Sequence, residues 1–284
     1  MNRKAPYPIL LIALVAITCF SGCRTTPITG RRQLLVVPES QEISMGLSSY
    51  RETLASERAS TNAQWAAMVE RVGNRIAQVA DRPDYQWEFN LIDSAEMNAF
   101  ALPGGKVAIY EGILPICQTE GGLAVVMSHE IAHALARHGG ERISQQYVVT
   151  GLGKLVDMAA MNRTDITRNR VNQAFGVVSK YGVVLPYSRK HESEADHMGM
   201  LLMAQAGYDP REAPRFWSRF GQAQADGERP IEFLSTHPAD HRRSAELAEL
   251  IPEAMAIYER SSTQLGRGEP ISVADADVKN SINR

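Results

Sequence analysis

Two histidines and a glutamate carry the first chemical signal in this chain. His129, Glu130 and His133 form an H-E-x-x-H pattern within Ser128-His129-Glu130-Ile131-Ala132-His133-Ala134-Leu135-Ala136-Arg137-His138. The run before it, Gly122-Leu123-Ala124-Val125-Val126-Met127, is apolar, so this composition predicts a buried helix. On a helix, residues i and i+4 lie one above the other. His129 and His133 would then offer two nitrogens to one metal ion. Glu130 would project beside that face, within reach of a water without being a ligand. This arrangement suits zinc-assisted hydrolysis of a peptide bond, with Glu130 as general base. The competing explanation is an accidental match on a polar helix. It fits poorly, because each buried polar group left without a partner costs about 1–3 kcal/mol, and a metal would satisfy all three.

A catalytic zinc normally takes three protein ligands. His138 is a poor third. It follows His133 by five residues, about 500° of helix, which turns it off the ligand face. The pattern that places its third His six residues after the second also needs a Gly between them, and here those positions are Gly139 and Ala136. His138 reads instead as a helix C-terminal histidine, just ahead of a Gly139-Gly140 stop. Downstream, Leu185 to Met203 reads as a loop followed by a second helix. Glu192 and Asp196 are four apart and share a face. The first suits a zinc ligand, and the second suits a hydrogen bond from a ligand histidine. Glu194 lies in the same turn and competes with Glu192.

The H-E-x-x-H pattern followed by Ser188-Arg189-Lys190-His191-Glu192-Ser193-Glu194-Ala195-Asp196-His197-Met198-Gly199 resembles a family of zinc metallopeptidases. That family includes HtpX, the CAAX prenyl protease and mitochondrial OMA. Asn98-Ala99-Phe100-Ala101-Leu102-Pro103-Gly104-Gly105-Lys106 is similar to its N-A-F-A-x-P-G-G segment, and Ser235-Thr236-His237-Pro238 with Arg243 to its S-T-H-P-x-x-x-x-R. The resemblance runs from about residue 35 to about residue 250. It implies a mostly helical α+β domain of gluzincin type, with a small edge-exposed sheet beside the zinc helix. It implies one Zn2+ per chain, held by His129, His133 and Glu192, with Asp196 behind the site. It also implies polypeptide substrates cleaved by a metalloendopeptidase. Lys106, Val107 and Ala108, just before the zinc helix, are expected as the open sheet edge to which an extended substrate adds. His237 is expected to close onto the zinc, as a gate or in the transition state.

The remaining chain frames that domain. Asn2-Arg3-Lys4 and the apolar run Ile9 to Phe20 predict a removable leader over residues 1–22, too short to span a bilayer. Phe20-Ser21-Gly22-Cys23 resembles a bacterial lipobox. It implies a lipid on Cys23 and a membrane anchor, and Arg24 in place of Asp implies the periplasmic side of the outer membrane. Residues 23–39 are expected as a tether, 40–262 as the metallopeptidase domain and 263–284 as a frayed tail. The layout resembles LoiP-like outer-membrane lipoproteins. Trp65, Met68, Val69, Val72, Ile76 and Val79 follow helical spacing, and residues 40–80 predict two helices. Strands are predicted within 85–93, 98–102 and 106–110. Cys117 reads as a small buried hydrophobe. Losing Arg3 and Lys4 with the leader takes the formal charge from −2 to −4, which gives no basic field for nucleic acid. No later apolar run reaches about 18 residues, which disfavours an integral-membrane member. The expected function is cleavage of misfolded or unassembled envelope proteins. An envelope assembly factor with a silent or gated zinc site is the alternative.

Overall fold

The elements needed to present a ligand pair and a distant carboxylate follow one another in an order that is mostly helical. The computed structural model describes residues 23–161, 163–179, 185–225, 233, 237 and 242–272. Strands β1 (Cys23–Thr25) and β2 (Arg32–Leu34) precede helices α1 (Glu39–Ser56) and α2 (Ala63–Val79). Strands β3 (Glu88–Ile92), β4 (Ala99–Leu102) and β5 (Lys106–Tyr110) follow, then a short 3-10 turn and α3 (Leu114–Cys117). The remaining helices are α4 (Glu120–Leu135), α5 (His138–Ala160), α6 (Asp165–Ser179), α7 (Leu185–Gln205), α8 (Glu212–Ala225) and α9 (Arg243–Tyr258). None of the described helices is long and apolar enough to cross a membrane. The expected leader, the Ser235, Thr236 and Pro238 positions and residues 273–284 lie outside the described residues.

The chain divides into two compact units. The smaller holds the residues up to Glu42 together with Arg137–His191, and the larger holds Ile43–Ala136 together with the residues from Glu192 on.

In the larger unit, α2 starts where the Asn62 side chain accepts the Trp65 amide at 3.1 Å, a regular N-cap. Its residues Trp65, Met68, Val69, Val72 and Ile76 are buried at helical spacing. The sheet has the order β3-β5-β4. β5 runs parallel to β3 from Glu88↔Lys106 to Ile92↔Tyr110. It runs antiparallel to β4 from Ala99↔Ile109 to Leu102↔Lys106. β5 is therefore the central strand, and all five of its residues are buried. This corrects the expectation for Lys106, Val107 and Ala108, whose main-chain groups are taken on both sides. Proximity to α4 in sequence had suggested an edge, but β3 pairs with β5 across an intervening strand. The sheet edges are β3 and β4.

Helix α4 is buried at every position except His133. Its first amides need partners from outside the helix. The Thr119 hydroxyl accepts the Gly122 amide at 3.2 Å. The carbonyls of Glu269 and Arg267 accept the Glu120 and Gly121 amides at 2.9 and 2.8 Å. The Ile271 amide returns to Gln118 O at 2.8 Å. Residues 263–272 are thus strapped across the start of α4 rather than frayed, because a buried helix start had donors to satisfy. Cys117 is fully buried, as expected of a small hydrophobe.

In the smaller unit β1 and β2 form an antiparallel hairpin. Arg137 adopts a left-handed conformation, φ 55 and ψ 36, and α5 begins at His138. Arg137 is fixed by Glu42 at 2.6 and 3.2 Å and by Val37 O at 3.1 Å. Gly139 and Gly140 therefore lie inside α5 and stop nothing, and His138 is not a C-terminal residue of α4. A Cβ on Gly140 would run into the Glu42 carboxylate, so close packing accounts for that glycine.

Gly199 has a related duty in the larger unit. A Cβ there would stand 3.0 Å from the His129 amide nitrogen and 3.1 Å from its Cα, so α7 passes α4 with no room for a side chain. Gly199→Val should destabilise the protein by about 1–3 kcal/mol through overpacking. Gly221→Ala, where an added Cβ meets nothing within 4 Å, should be neutral or stabilising by up to about 1 kcal/mol. Urea unfolding midpoints of the two variants test this, and a wild-type midpoint for Gly199→Val would refute the close approach.

Candidate metal centre

The buried helix α4 carries His129 and His133 into the interior of the larger unit on one face, one turn apart. Helix α7 brings Glu192, and the segment between α8 and α9 brings His237. His129 Nε2 lies 3.0 Å from His133 Nε2 and 3.1 Å from His237 Nδ1. His237 Nδ1 is 3.0 Å from Glu192 Oε2. The Glu192 oxygens stand 3.4 Å from His129 Nε2 and from His133 Nε2. One ligand atom from each of these four residues falls within 4.8 Å of all the others. Glu194, also buried, is not in this group, so of the two competing carboxylates the fold brings Glu192 to the histidines.

A polar surround holds the cluster in place. Asp196 Oδ1 lies 3.0 Å from His129 Nδ1. With that proton donated to Asp196, His129 keeps its Nε2 lone pair for the centre. Arg243 clamps Asp196 with two bonds, Nε to Oδ2 at 2.6 Å and Nη2 to Oδ1 at 2.7 Å. Its Nη1 stands 3.4 Å from Glu192 Oε2. Its Cζ lies 3.3 Å over the Trp217 ring, a cation–π contact, and Trp217 packs edge-on to His129 at 5.7 Å. Arg243 and Trp217 were not read as site residues from sequence. The one available signal was the spacing of Arg243 after His237. Nothing in the pattern marked Trp217.

Electrostatics follow from burial and from these partners. Burial pushes the Glu130 carboxyl up to about 7, and Glu192 adds to this, while His237 and Arg243 act against it. Glu130 Oε1 is buried and accepts no hydrogen bond, with His237 Nε2 at 3.4 Å. Glu192 is held well below the usual carboxylate range. Burial opposes this, but hydrogen bonds from His129 and His237 outweigh it. For His129, burial and Arg243 disfavour the cation, yet Asp196 and Glu192 prevail and raise its pKa. Asp196 is held low against burial by Arg243 and His129.

These observations test the fit of a metal. Three imidazoles and an ionised carboxylate converge, and a buried oxygen of Glu130 beside them has no donor. Nitrogens 3.0 Å apart repel unless a proton or a cation lies between them. An N/O set with one carboxylate suits a zinc-like dication. The residues fit such an ion.

Comparison with known proteins bears on the same residues. The model of peptidase family M48 matches residues 63–251. The mitochondrial metalloendopeptidase OMA1 of Schizosaccharomyces pombe is 36% identical over 254 residues, 88% of this chain and 73% of that protein. The human mitochondrial metalloendopeptidase OMA1 is 30% identical over 260 residues, 87% of this chain and 49% of its own. The β-barrel assembly-enhancing protease of Escherichia coli is 26% identical over 246 residues, 84% of this chain and 49% of its own.

The expected outer-membrane location does not stand. Six relatives from fungi, a plant and animals are mitochondrial metalloendopeptidases. The outer-membrane reading rested on Cys23 and Arg24, short address signals read by sorting machinery, which folding physics does not constrain. The family, by contrast, is carried by most of the chain. This protein belongs to peptidase family M48 and is a metalloprotease.

Proposed function

We propose that this metalloprotease is a zinc endopeptidase in which His129, His133 and Glu192 hold the ion and Glu130 is the general base. The observation that carries this reading is the convergence of three imidazoles and one ionised carboxylate beside a buried carboxylate oxygen without a donor. Bound there, the ion supplies Lewis acidity and lowers the pKa of a water. Glu130 would accept a proton from the attacking water and return it to the leaving amine. Asp196 holds His129 in the tautomer that presents Nε2, and Arg243 holds Asp196. His237 stands where a catalytic site would otherwise stay open, so it serves as a gate. An extended polypeptide adds along β4, an edge strand packed against α4. The other edge, β3, already has a bridge between Ile92 and Ala59. Attachment to a membrane through a lipid on Cys23 is part of the proposal, supported by the apolar run and small residues before it.

Glu130→Gln should retain one zinc per chain, while turnover of unfolded casein falls by about 10²–10⁴-fold. Zinc content and peptide cleavage measured on one preparation decide this, and a zinc-loaded variant cleaving at the wild-type rate would sink the mechanism. Wild type that binds zinc and cleaves nothing would favour the assembly-factor reading or a closed gate. His237→Ala separates these, because only a gated enzyme is switched on by it.

Glu192→Ala should lose zinc and Glu194→Ala should keep it. Asp196→Ala should weaken binding by about 10–100-fold. Neutral imidazole is the ligand form and the His129 pKa is raised, so zinc affinity should begin to fall, as the pH drops, above the ordinary histidine value of about 6.5. Stoichiometric zinc in Glu192→Ala would reassign the ligand. Cys23→Ser should move the protein from the membrane to the soluble fraction, and unchanged fractionation would remove the lipid from the proposal.

A further inference from the structure

An aromatic set in the larger unit contains one side chain that the proposed reaction does not use. Phe233 is fully buried. Its ring stacks on the His237 imidazole, with centroids 4.5 Å apart and planes 30° apart. It also stacks on Trp217 of α8, at 6.0 Å and 19°. Phe220 of the same helix meets it edge-on at 5.6 Å. The main chain of Phe233 is engaged as well. The His237 amide donates to Phe233 O at 2.8 Å, and the Phe233 amide donates to Met97 O at 3.2 Å.

The direction of the Met97 carbonyl matters. The Tyr110 amide donates to Asn98 O at 3.1 Å, so the main-chain groups of Asn98 face β5. These groups alternate in direction along an antiparallel strand. Those of Met97, Ala99 and Ala101 therefore face away from β5, toward the edge of the sheet. Phe233 thus takes a carbonyl at the start of the edge along which an extended polypeptide is proposed to add. The same residue carries the ring on which His237 rests, and His237 Nδ1 reaches Glu192 at 3.0 Å and His129 at 3.1 Å. One residue touches both the substrate edge and the group that closes the centre.

We propose that Phe233 is a positioning residue, the latch of the His237 gate. Its ring holds the imidazole against Glu192 and His129, and its amide occupies the place of a substrate main chain at Met97. A polypeptide that adds to β4 as far as Met97 competes with the Phe233 amide. Displacing that amide withdraws the ring from beneath His237 and opens the centre, whereas a peptide that stops short leaves the latch in place. Discrimination between long unfolded chains and short peptides follows from this competition. The inference rests on the readings of His237 as a gate and of β4 as the substrate edge.

Two readouts on the zinc-loaded full chain test it: the rate at which excess chromophoric chelator extracts zinc without substrate, and turnover of unfolded casein. Phe233→Leu keeps apolar bulk and removes the ring. It should speed zinc release by about 10–100-fold, the usual effect of losing an outer partner of a metal site, and raise turnover toward that of His237→Ala. Phe233→Tyr keeps the ring and should release zinc like the wild type. In a His237→Ala background, Phe233→Leu should change neither readout further, the non-additivity of a single path. Ile76→Ala truncates a fully buried core residue of α2 and should leave the release rate unchanged. Lengthening a cleavable peptide at one end should raise kcat/KM in a step in the wild type, and Phe233→Leu should flatten that step. Wild-type release and turnover in Phe233→Leu would overturn the proposal, as would equal acceleration in Ile76→Ala, full additivity with His237→Ala, or an undiminished length step in Phe233→Leu. If His237→Ala itself changes neither readout, the gate reading fails instead, and the two failures are distinguishable.

Discussion

Lone pairs pointing at one another inside a protein must be reconciled, and much of this fold is arranged around that requirement. His129, His133, His237 and Glu192 bring nitrogens and an ionised oxygen to distances of 3.0–3.4 Å. In water such groups would each be hydrated. Here they are largely withdrawn from it, so a shared cation or protons must take the place of solvent. A zinc-like dication satisfies all of them at once. The same burial pushes Glu130 up toward neutrality, which is where a general base works best. One physical condition, exclusion of water, therefore accounts both for the convergence that suits a metal and for the raised Glu130 carboxyl.

Holding polar groups in that position requires backbone to come unusually close. The absent side chain at Gly199 lets α7 lie against the His129 backbone. The start of α4 is buried, and its orphan amides are satisfied by Thr119 and by the carbonyls of Arg267 and Glu269. A C-terminal segment that would otherwise be dispensable is in this way a part of the ligand helix. At its other end, α4 terminates through a left-handed Arg137, a conformation that is uncommon outside glycine. The Glu42 and Val37 bonds to its guanidinium offset that cost.

Charge is managed in two layers. Arg243 is buried against Trp217 and pairs with Asp196, so the site carries a fixed cation even before a metal arrives. That cation disfavours protonated His129, while Asp196 and Glu192 favour it. Glu192 and Asp196 stay ionised, and Arg243 offsets part of their negative charge in the interior. The Arg31–Glu141–His191 chain is a second balanced set, in the smaller unit. Both sets use arginine, whose planar fork can bind both oxygens of a carboxylate and fix its plane.

The sequence by itself determined the local pieces. H-E-x-x-H on an apolar run placed two histidines and a glutamate on one buried helix, because side-chain direction on a helix depends only on spacing. The apolar period of α2 likewise marked a buried helix face by a local rule. The motif resemblance added Glu192, Asp196 and His237, each of which the fold delivers to one place. What sequence could not decide were matters of distance between segments. β5 read as an edge because it precedes α4, but strand order in a sheet is set by long-range pairing, and β3 covers its other side. Gly139-Gly140 read as a helix stop, whereas the stop is a residue held by side chains some 95 positions away. Residues 263–272 read as frayed because their composition is polar, yet the donors they satisfy belong to a helix about 150 residues earlier. Arg243 and Trp217 went unread as site residues for the same reason. Their duty lies in touching His129 and Asp196, and only the tertiary structure decides which side chains touch.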